Sequence, residues 1–315
     1  MPFLVHAQFD KPTYNYWEFY AFPKPKGNVK SVEIQVKDLP DNTSIINKHF
    51  KPLIAIEFGK HIISKVSLTY TPHGDLNILT NVDSFGNVVI QINYIYDEFN
   101  RIINTNVYKD KVKRTDHSYS YLYDSLGRWI ETKYFDSIGK YVHSELRVYN
   151  KNVVTAYYPS GKDNKIKEVY KFKPNEIIRK TYDISERDIL HKTTETFEGD
   201  NVCKIYENYY ENNGGRRSKT IFKDNSKEGS EKQFHECFYC NDPTEQRKWK
   251  KNEQGDIIEE LIIRDGDNHV TLFENGKFII TYKYEYDSHG NYTKKTEYID
   301  GIPAYETIRT IEYYD

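Results

Sequence analysis

One short pattern recurs along this chain and limits what it can fold into. It consists of an aromatic or apolar residue, an aspartate, two variable residues, a glycine or asparagine, and a polar residue. It appears at Val82-Asp83-Ser84-Phe85-Gly86-Asn87, Tyr96-Asp97-Glu98-Phe99-Asn100-Arg101 and Tyr123-Asp124-Ser125-Leu126-Gly127-Arg128. It returns at Phe135-Asp136-Ser137-Ile138-Gly139-Lys140 and Tyr286-Asp287-Ser288-His289-Gly290-Asn291, with weaker copies around Gly74, Gly161 and Gly255. An aspartate followed three residues later by glycine or asparagine suits a tight turn. The carboxylate accepts backbone N–H bonds from the residues that follow, and the glycine or asparagine takes the left-handed position that closes the turn. Asp83, Asp97, Asp124, Asp136 and Asp287 are therefore expected as turn caps. Gly86, Asn100, Gly127, Gly139 and Gly290 are their closing residues.

Gly74 and Gly86 lie twelve residues apart, as do Gly127 and Gly139. That length holds one turn and one strand, so successive copies read as successive antiparallel strands. The intervening segments alternate with period two. Tyr282, Tyr284 and Tyr286 alternate with Lys283, Glu285 and Asp287, and Ile166, Glu168, Tyr170 and Phe172 with Lys165, Lys167, Val169 and Lys171. Such alternation marks half-buried strands. The 29 tyrosines, against 3 tryptophans and 1 methionine, fit a pleated surface with one dry face and a reachable polar edge. Most of these rings are expected to be core. The expectation is an all-β protein: a long antiparallel meander of about twenty strands forming one curved or spiralled sheet, with a β-sandwich or open barrel as the alternative. Residues 40–64 are the best candidate for a helix or irregular stretch, and the middle region, 183–250, has degenerate repeats and longer polar turns.

The domain expected is a single one over 26–315, preceded by an N-terminal segment at 1–25. Residues 1–7 resemble the end of a signal peptide cut between Ala7 and Gln8. The alternation of Phe3, Val5, Ala7 and Phe9 suits a first strand equally well. The chain is expected to be exported (periplasmic, outer-surface or secreted), or cytoplasmic if Met1 is its true start. No segment approaches the roughly 18 apolar residues of a membrane-spanning helix. Charges nearly cancel, 45 Lys and Arg against 47 Asp and Glu, so a nucleic-acid partner is not expected.

These repeats resemble the YD-repeat family, whose best-known members are Rhs proteins and the teneurin shell. The chain is similar to small secreted or envelope-associated bacterial members. Lys26-Gly27-Asn28-Val29-Lys30-Ser31-Val32-Glu33 looks like an opening strand, and Tyr284–Lys295 with Arg309–Tyr314 like the closing hairpin. The likeness spans 26–315 and is strongest over 67–150 and 280–315. It implies an all-β repeat fold and a link to toxin systems. Full Rhs proteins end in a variable toxin domain. This chain stops on a repeat, so no toxin cargo is expected.

Few residues suggest chemistry. Cys203, His235, Cys237 and Cys240 could together hold zinc, but a second C-x-x-C is missing. A disulfide between two of the three cysteines, or simple packing, are the other readings. The turn aspartates have a sufficient structural role. Glu259, Glu260 and Glu306 lie on strands and could flank a sugar, although neighbours such as Glu259 and Glu260 point to opposite faces. Arg247-Lys248-Trp249-Lys250-Lys251 interleaves an aromatic with basic residues, as single-strand nucleic-acid binders do, but acidic neighbours favour a solvated strand face. No catalytic motif appears and no cofactor is expected. The leading expectation is a non-enzymatic binding or scaffold protein that uses the face or edge of a tyrosine-rich sheet to take a protein partner or glycan. An immunity protein against a polymorphic toxin and a polysaccharide-acting enzyme are the alternatives.

Overall fold

The computed structural model describes residues 25–38, 57–58, 61–160, 163–182, 189–209, 216–235, 244–265 and 276–315. The possible leader at 1–7 lies outside these residues, as does most of 40–64. Within the latter stretch, 57–58 and 61–64 are strand.

Every regular element among the described residues is a strand. In chain order they are β1 (Val29–Asp38), β2 (Glu57–Phe58), β3 (His61–Tyr70), β4 (Leu76–Asp83), β5 (Val88–Tyr96), β6 (Ile102–Lys109), β7 (Val112–Tyr123), β8 (Trp129–Phe135), β9 (Tyr141–Asn150), β10 (Val153–Ser160) and β11 (Asp163–Lys173). They continue as β12 (Glu176–Tyr182), β13 (Ile189–Glu198), β14 (Asn201–Tyr209), β15 (Arg216–Asp224), β16 (Glu228–His235), β17 (Thr244–Lys251), β18 (Ile257–Asp265), β19 (Gly276–Tyr286), β20 (Tyr292–Ile299) and β21 (Ile302–Tyr313). Each strand from β3 onward pairs antiparallel with the next, as a meander requires.

The expected open, curved or spiralled sheet is corrected at one place. β1 pairs with β3 along one side and with β21 along the other, Val32 standing opposite both Leu68 and Ile311. The hydrogen-bonded order therefore returns to its start, which makes the sheet an antiparallel β-barrel. Closure satisfies the N–H and C=O groups that two free edges would expose. A clasp of side chains secures the seam. Lys26 N donates to Asn291 Oδ1 at 2.6 Å, and Asn291 Nδ2 donates to Lys26 O at 2.7 Å and to the Tyr313 hydroxyl at 2.9 Å. Tyr313 in turn donates to Asp287, and the His289 ring stacks on Tyr313 at 4.0 Å. Gly27 (φ +84°) passes beneath: a Cβ there would lie 3.3 Å from both rings.

The chain divides into two compact units. Unit 1 takes the described residues up to Ser144 with Lys283–Thr296 and Ala304–Asp315, and unit 2 takes Glu145–Tyr282 with Glu297–Pro303. In unit 1 the register lines up Ile311, Val32, Leu68, Leu79, Ile92 and Val107 across consecutive strands. Residues directly opposite share a face, so this row is a continuous apolar stripe. Val32, Ile34, Val66, Leu68, Leu79 and Val89 are its buried heart. The reverse face reads Thr310, Glu33, Ser67, Thr80 and Gln91. Along this row period-two alternation separates dry from wet, while on the same face Arg309, also buried, stands opposite Ile34.

Unit 2 holds its sheet differently. Trp249 lies opposite Gly229, and a Cβ on that glycine would come within 2.2 Å of the indole. The ring covers bare backbone, and its Nε1 donates to Asp224 Oδ1 at 3.0 Å. Lys251 reaches both oxygens of the same carboxylate.

Candidate functional site

The repeated turns share one geometry. In the copy at Asp124, Oδ1 accepts the N–H groups of Leu126 and Arg128 at 2.9 Å each, while Oδ2 accepts Arg128 Nε at 2.7 Å. The copy at Asp97 does the same with Phe99 and Arg101, and Asp83 uses Phe85 and Asn87. Asp136 accepts from Ile138 and Lys140, and Asp287 from His289 and Asn291. Gly86, Gly127, Gly139, Gly290 and Asn100 all have positive φ. Burial works to raise the carboxyls of Asp97 and Asp124. The arginine side chain and the two backbone N–H bonds outweigh it and hold both below the usual aspartate value. Carboxylates with their lone pairs so occupied are structural caps, with little left for a metal or a substrate.

The other carboxylates singled out in the sequence have partners of their own. Glu259 pairs with Lys250 at 2.8 Å and Glu306 with Lys294 at 2.7 Å. Glu260 lies 3.7 Å from Arg247 and accepts the Tyr282 hydroxyl at 3.1 Å. The basic run at 247–251 therefore spends much of its charge on sheet neighbours. Cys203 is a free thiol on β14, opposite Thr196 and Lys223. Cys237, Cys240 and the His235 side chain lie outside the described residues. Among the described residues no three potential metal ligands gather.

A different cluster stands out, on one face of the unit 2 sheet. Its centre is Glu168 on β11. Burial works to raise this carboxyl, but the Arg179 charge and the Tyr170 hydroxyl hold it below the usual glutamate value. Tyr170 donates to Glu168 Oε2 at 2.6 Å and Arg179 to Oε1. Burial, followed by the Glu168 charge, pushes the Tyr170 hydroxyl well above its ordinary range. Glu145 on β9 pairs with Lys167 at 2.6 Å and with Arg147 at 3.3 Å. The guanidinium carbons of Arg147 and Arg179 lie 5.8 and 5.5 Å from the Tyr170 ring centre.

A β-bulge makes this cluster possible. Ala156 lies opposite Glu168 but Tyr157 lies opposite Ile166, so Lys167 is the extra residue. The expected alternation of Ile166 with Glu168, Tyr170 and Phe172 is thus corrected: the bulge puts Ile166 out of step with the other three. It also brings Lys167 to Glu145.

The ionic centre continues into a row of hydroxyls. Tyr170, Arg179, Thr193, Tyr206 and Thr220 stand opposite one another across five strands. At a strand spacing of about 4.8 Å the row runs about 19 Å. Glu168 is 7% exposed and Arg179 48%, so the carboxylate is buried and the cation it holds faces solvent. Sequence reasoning did not single out this cluster. One signal was available: Glu168 shares an alternating face with Tyr170 and Phe172, where a charge needs a partner.

No family model and no curated protein matches the chain. Among solved structures it is similar to a porin-like protein from Bacteroides uniformis, at 12% identity and a TM-score of 0.36, over 91% of this chain and 98% of that one. It is also similar to a Tc holotoxin pore from Photorhabdus luminescens, at 14% identity and a TM-score of 0.24, over 76% of this chain. This chain spans 14% of that toxin chain. At these scores neither likeness carries an argument, and the YD-repeat likeness remains a resemblance of motif.

Proposed function

We propose that this chain is a non-enzymatic binding protein of the cell envelope or exterior, whose working surface is the face of the unit 2 sheet that bears Glu168 and Arg179. The carrying observation is the row through Tyr170, Arg179, Thr193, Tyr206 and Thr220, anchored by a buried carboxylate and open to water at Arg179. Such a face offers hydroxyls and a fixed cation to a glycan or a protein partner.

One point supports the non-enzymatic reading, and a second supports sheet faces that meet water. A glycosidase needs one carboxyl kept protonated as a general acid. Glu168 is held the other way, ionised by Arg179 and Tyr170, and Glu145 is matched by Lys167 and Arg147. The unit 2 sheet also carries charge on both faces. Glu168 and Arg179 lie on one, and Lys180, Lys192 and Glu207 form a paired row on the other. A lysine or arginine near a bilayer midplane costs a strand about 2–4 kcal/mol, so these faces suit water better than lipid. The sequence ground for export is the Phe3–Gln8 stretch.

The test is affinity capture from lysate and medium of the source cells, with a glycan array in parallel and fractionation of the cells. A saturable glycan or a stoichiometric protein partner, with the chain in the envelope or medium, is expected. Release of soluble products from a polysaccharide would refute the non-enzymatic reading, and a cytoplasmic fraction would refute the location.

A further inference from the structure

We propose, resting on that reading of the unit 2 face, that Arg179 is the anchor for the carboxylate of an acidic sugar, making the preferred ligand a uronate-bearing glycan.

Consider first what the cluster has left to offer. Arg147, Lys167 and Arg179 bring three positive charges against the two carboxylates Glu145 and Glu168. Both carboxylates are almost covered, at 6% and 7% exposed. Lys167 and Arg147 are mostly spent on Glu145. Arg179 is the group that reaches water. Its Nη2 is tied to Glu168 and its plane lies over the Tyr170 ring.

A guanidinium has five N–H donors in a rigid fork, and the bond to Glu168 uses one side of it. The carboxylate and ring beneath remove much of the rotational freedom that an exposed arginine would lose on binding, and fixing that freedom in advance raises affinity. Burying Glu168 is an expensive way to stabilise a sheet, because desolvation offsets much of the attraction. As a device for fixing one exposed cation it has a clear product. The ligand should present a planar anion, which the arginine fork matches in two bonds.

The surroundings select a sugar over other carboxylates. Thr193 lies directly opposite Arg179, with Tyr206 and Thr220 next along the row, and Thr181 lies beside Glu168, its hydroxyl 3.5 Å from Oε1. Beyond Arg179 the row carries hydroxyls at Thr193, Tyr206 and Thr220. Threonine and tyrosine hydroxyls both donate and accept, which suits the hydroxyls of a sugar ring.

The experiment is titration of the full chain with two oligosaccharides of equal length and linkage, one of uronates and one of the neutral parent sugar, followed by tyrosine fluorescence or calorimetry. Arg179→Gln and Arg179→Lys are run beside the native chain, with far-UV circular dichroism and melting confirming the fold of each. The uronate oligomer is expected to bind at least about tenfold tighter than the neutral one. Arg179→Gln should remove that preference while leaving weak neutral binding unchanged, and Arg179→Lys should restore only part of it. Glu168→Gln, which frees the arginine without removing it, should weaken uronate binding and increase its sensitivity to salt. Equal binding of both oligomers overturns the proposal and leaves the broader glycan-binding reading standing. Uronate binding unaffected by Arg179→Gln overturns it too. So does failure of both oligomers to bind, and a protein captured in the same study would then carry the binding reading alone.

Discussion

The two units use the same strand-and-turn repeat to build opposite kinds of surface. In unit 1 the row Ile311, Val32, Leu68, Leu79, Ile92, Val107 is wholly apolar, and its reverse face is polar. In unit 2 the rows through Glu168 and Arg179 carry charge and hydroxyls on the face that bears the aromatic rings. Unit 1 follows the ordinary economy of a half-buried sheet, in which burial of aliphatic area is the main favourable term. Unit 2 buries apolar area as well, at Val154, Ala156, Phe172, Ile177, Ile262 and Ile280, and adds ion pairs and one tryptophan over glycine. A unit that spends stability to fix charges on a face is the better place to look for a ligand, and the binding proposal is placed there.

The sharpest way to break this contrast is to remove one aliphatic side chain from unit 1. Ile34 is fully buried, so Ile34→Ala should cost about 2–5 kcal/mol through lost transfer and the cavity left behind. Urea unfolding measures it. A loss below about 1 kcal/mol would mean that the apolar stripe is not what holds unit 1. The matching change in unit 2 is Glu168→Gln. Removing one partner of a fully buried pair costs about 3–5 kcal/mol. Arg179 can turn to water, so the expected cost is smaller, about 1–3 kcal/mol, that of a lost hydrogen bond to a charged group. A loss as large as that of Ile34→Ala would show that the ion cluster is structural cement and would weaken the case for a binding face.

Gly229→Ala tests the other device of unit 2. The new methyl would collide with Trp249, and overpacking of this kind costs about 1–3 kcal/mol. Displacing the ring should also change the near-ultraviolet circular dichroism. An unchanged spectrum and melt would mean that the tryptophan does not rest on the glycine.

The strands were legible in the sequence because period-two alternation is local: Tyr282, Tyr284 and Tyr286 declare a strand without reference to anything distant. Closure was not legible. It depends on Val32 meeting Ile311, a pairing of residues at opposite ends of the sequence, and nothing near either residue encodes the other. The cluster at Glu168 was hidden for a related reason. Its members lie on β9, β11 and β12, and the bulge at Lys167 shifts the face of everything before it by one, so a strict count of odd and even positions gives the wrong neighbours. What the local pattern did contain was the anomaly itself, a glutamate in step with Tyr170 and Phe172.

The turns of unit 1 bring a pH dependence. Burial works to raise Asp97, Asp124 and Asp287. Hydrogen bonds from Arg101, Arg128 and Tyr313 respectively, with backbone N–H groups, bring all three below the ordinary aspartate value. All three belong to unit 1. A carboxyl depressed in the folded state contributes stability that is present above its unfolded pKa, about 3.9, and is lost as pH falls through the folded value. Acid should therefore loosen these hairpins below about pH 4, with little change on the neutral side. Asp124→Asn keeps the shape and one acceptor but removes the charge. It should cost about 1 kcal/mol at pH 7, and less as the pH falls through the folded value and the native aspartate takes up its proton. Melting the two chains side by side across that range gives the comparison. If the difference between them persists undiminished at low pH, the cap works through its geometry alone, and the pairing of Asp124 with Arg128 adds nothing to the turn.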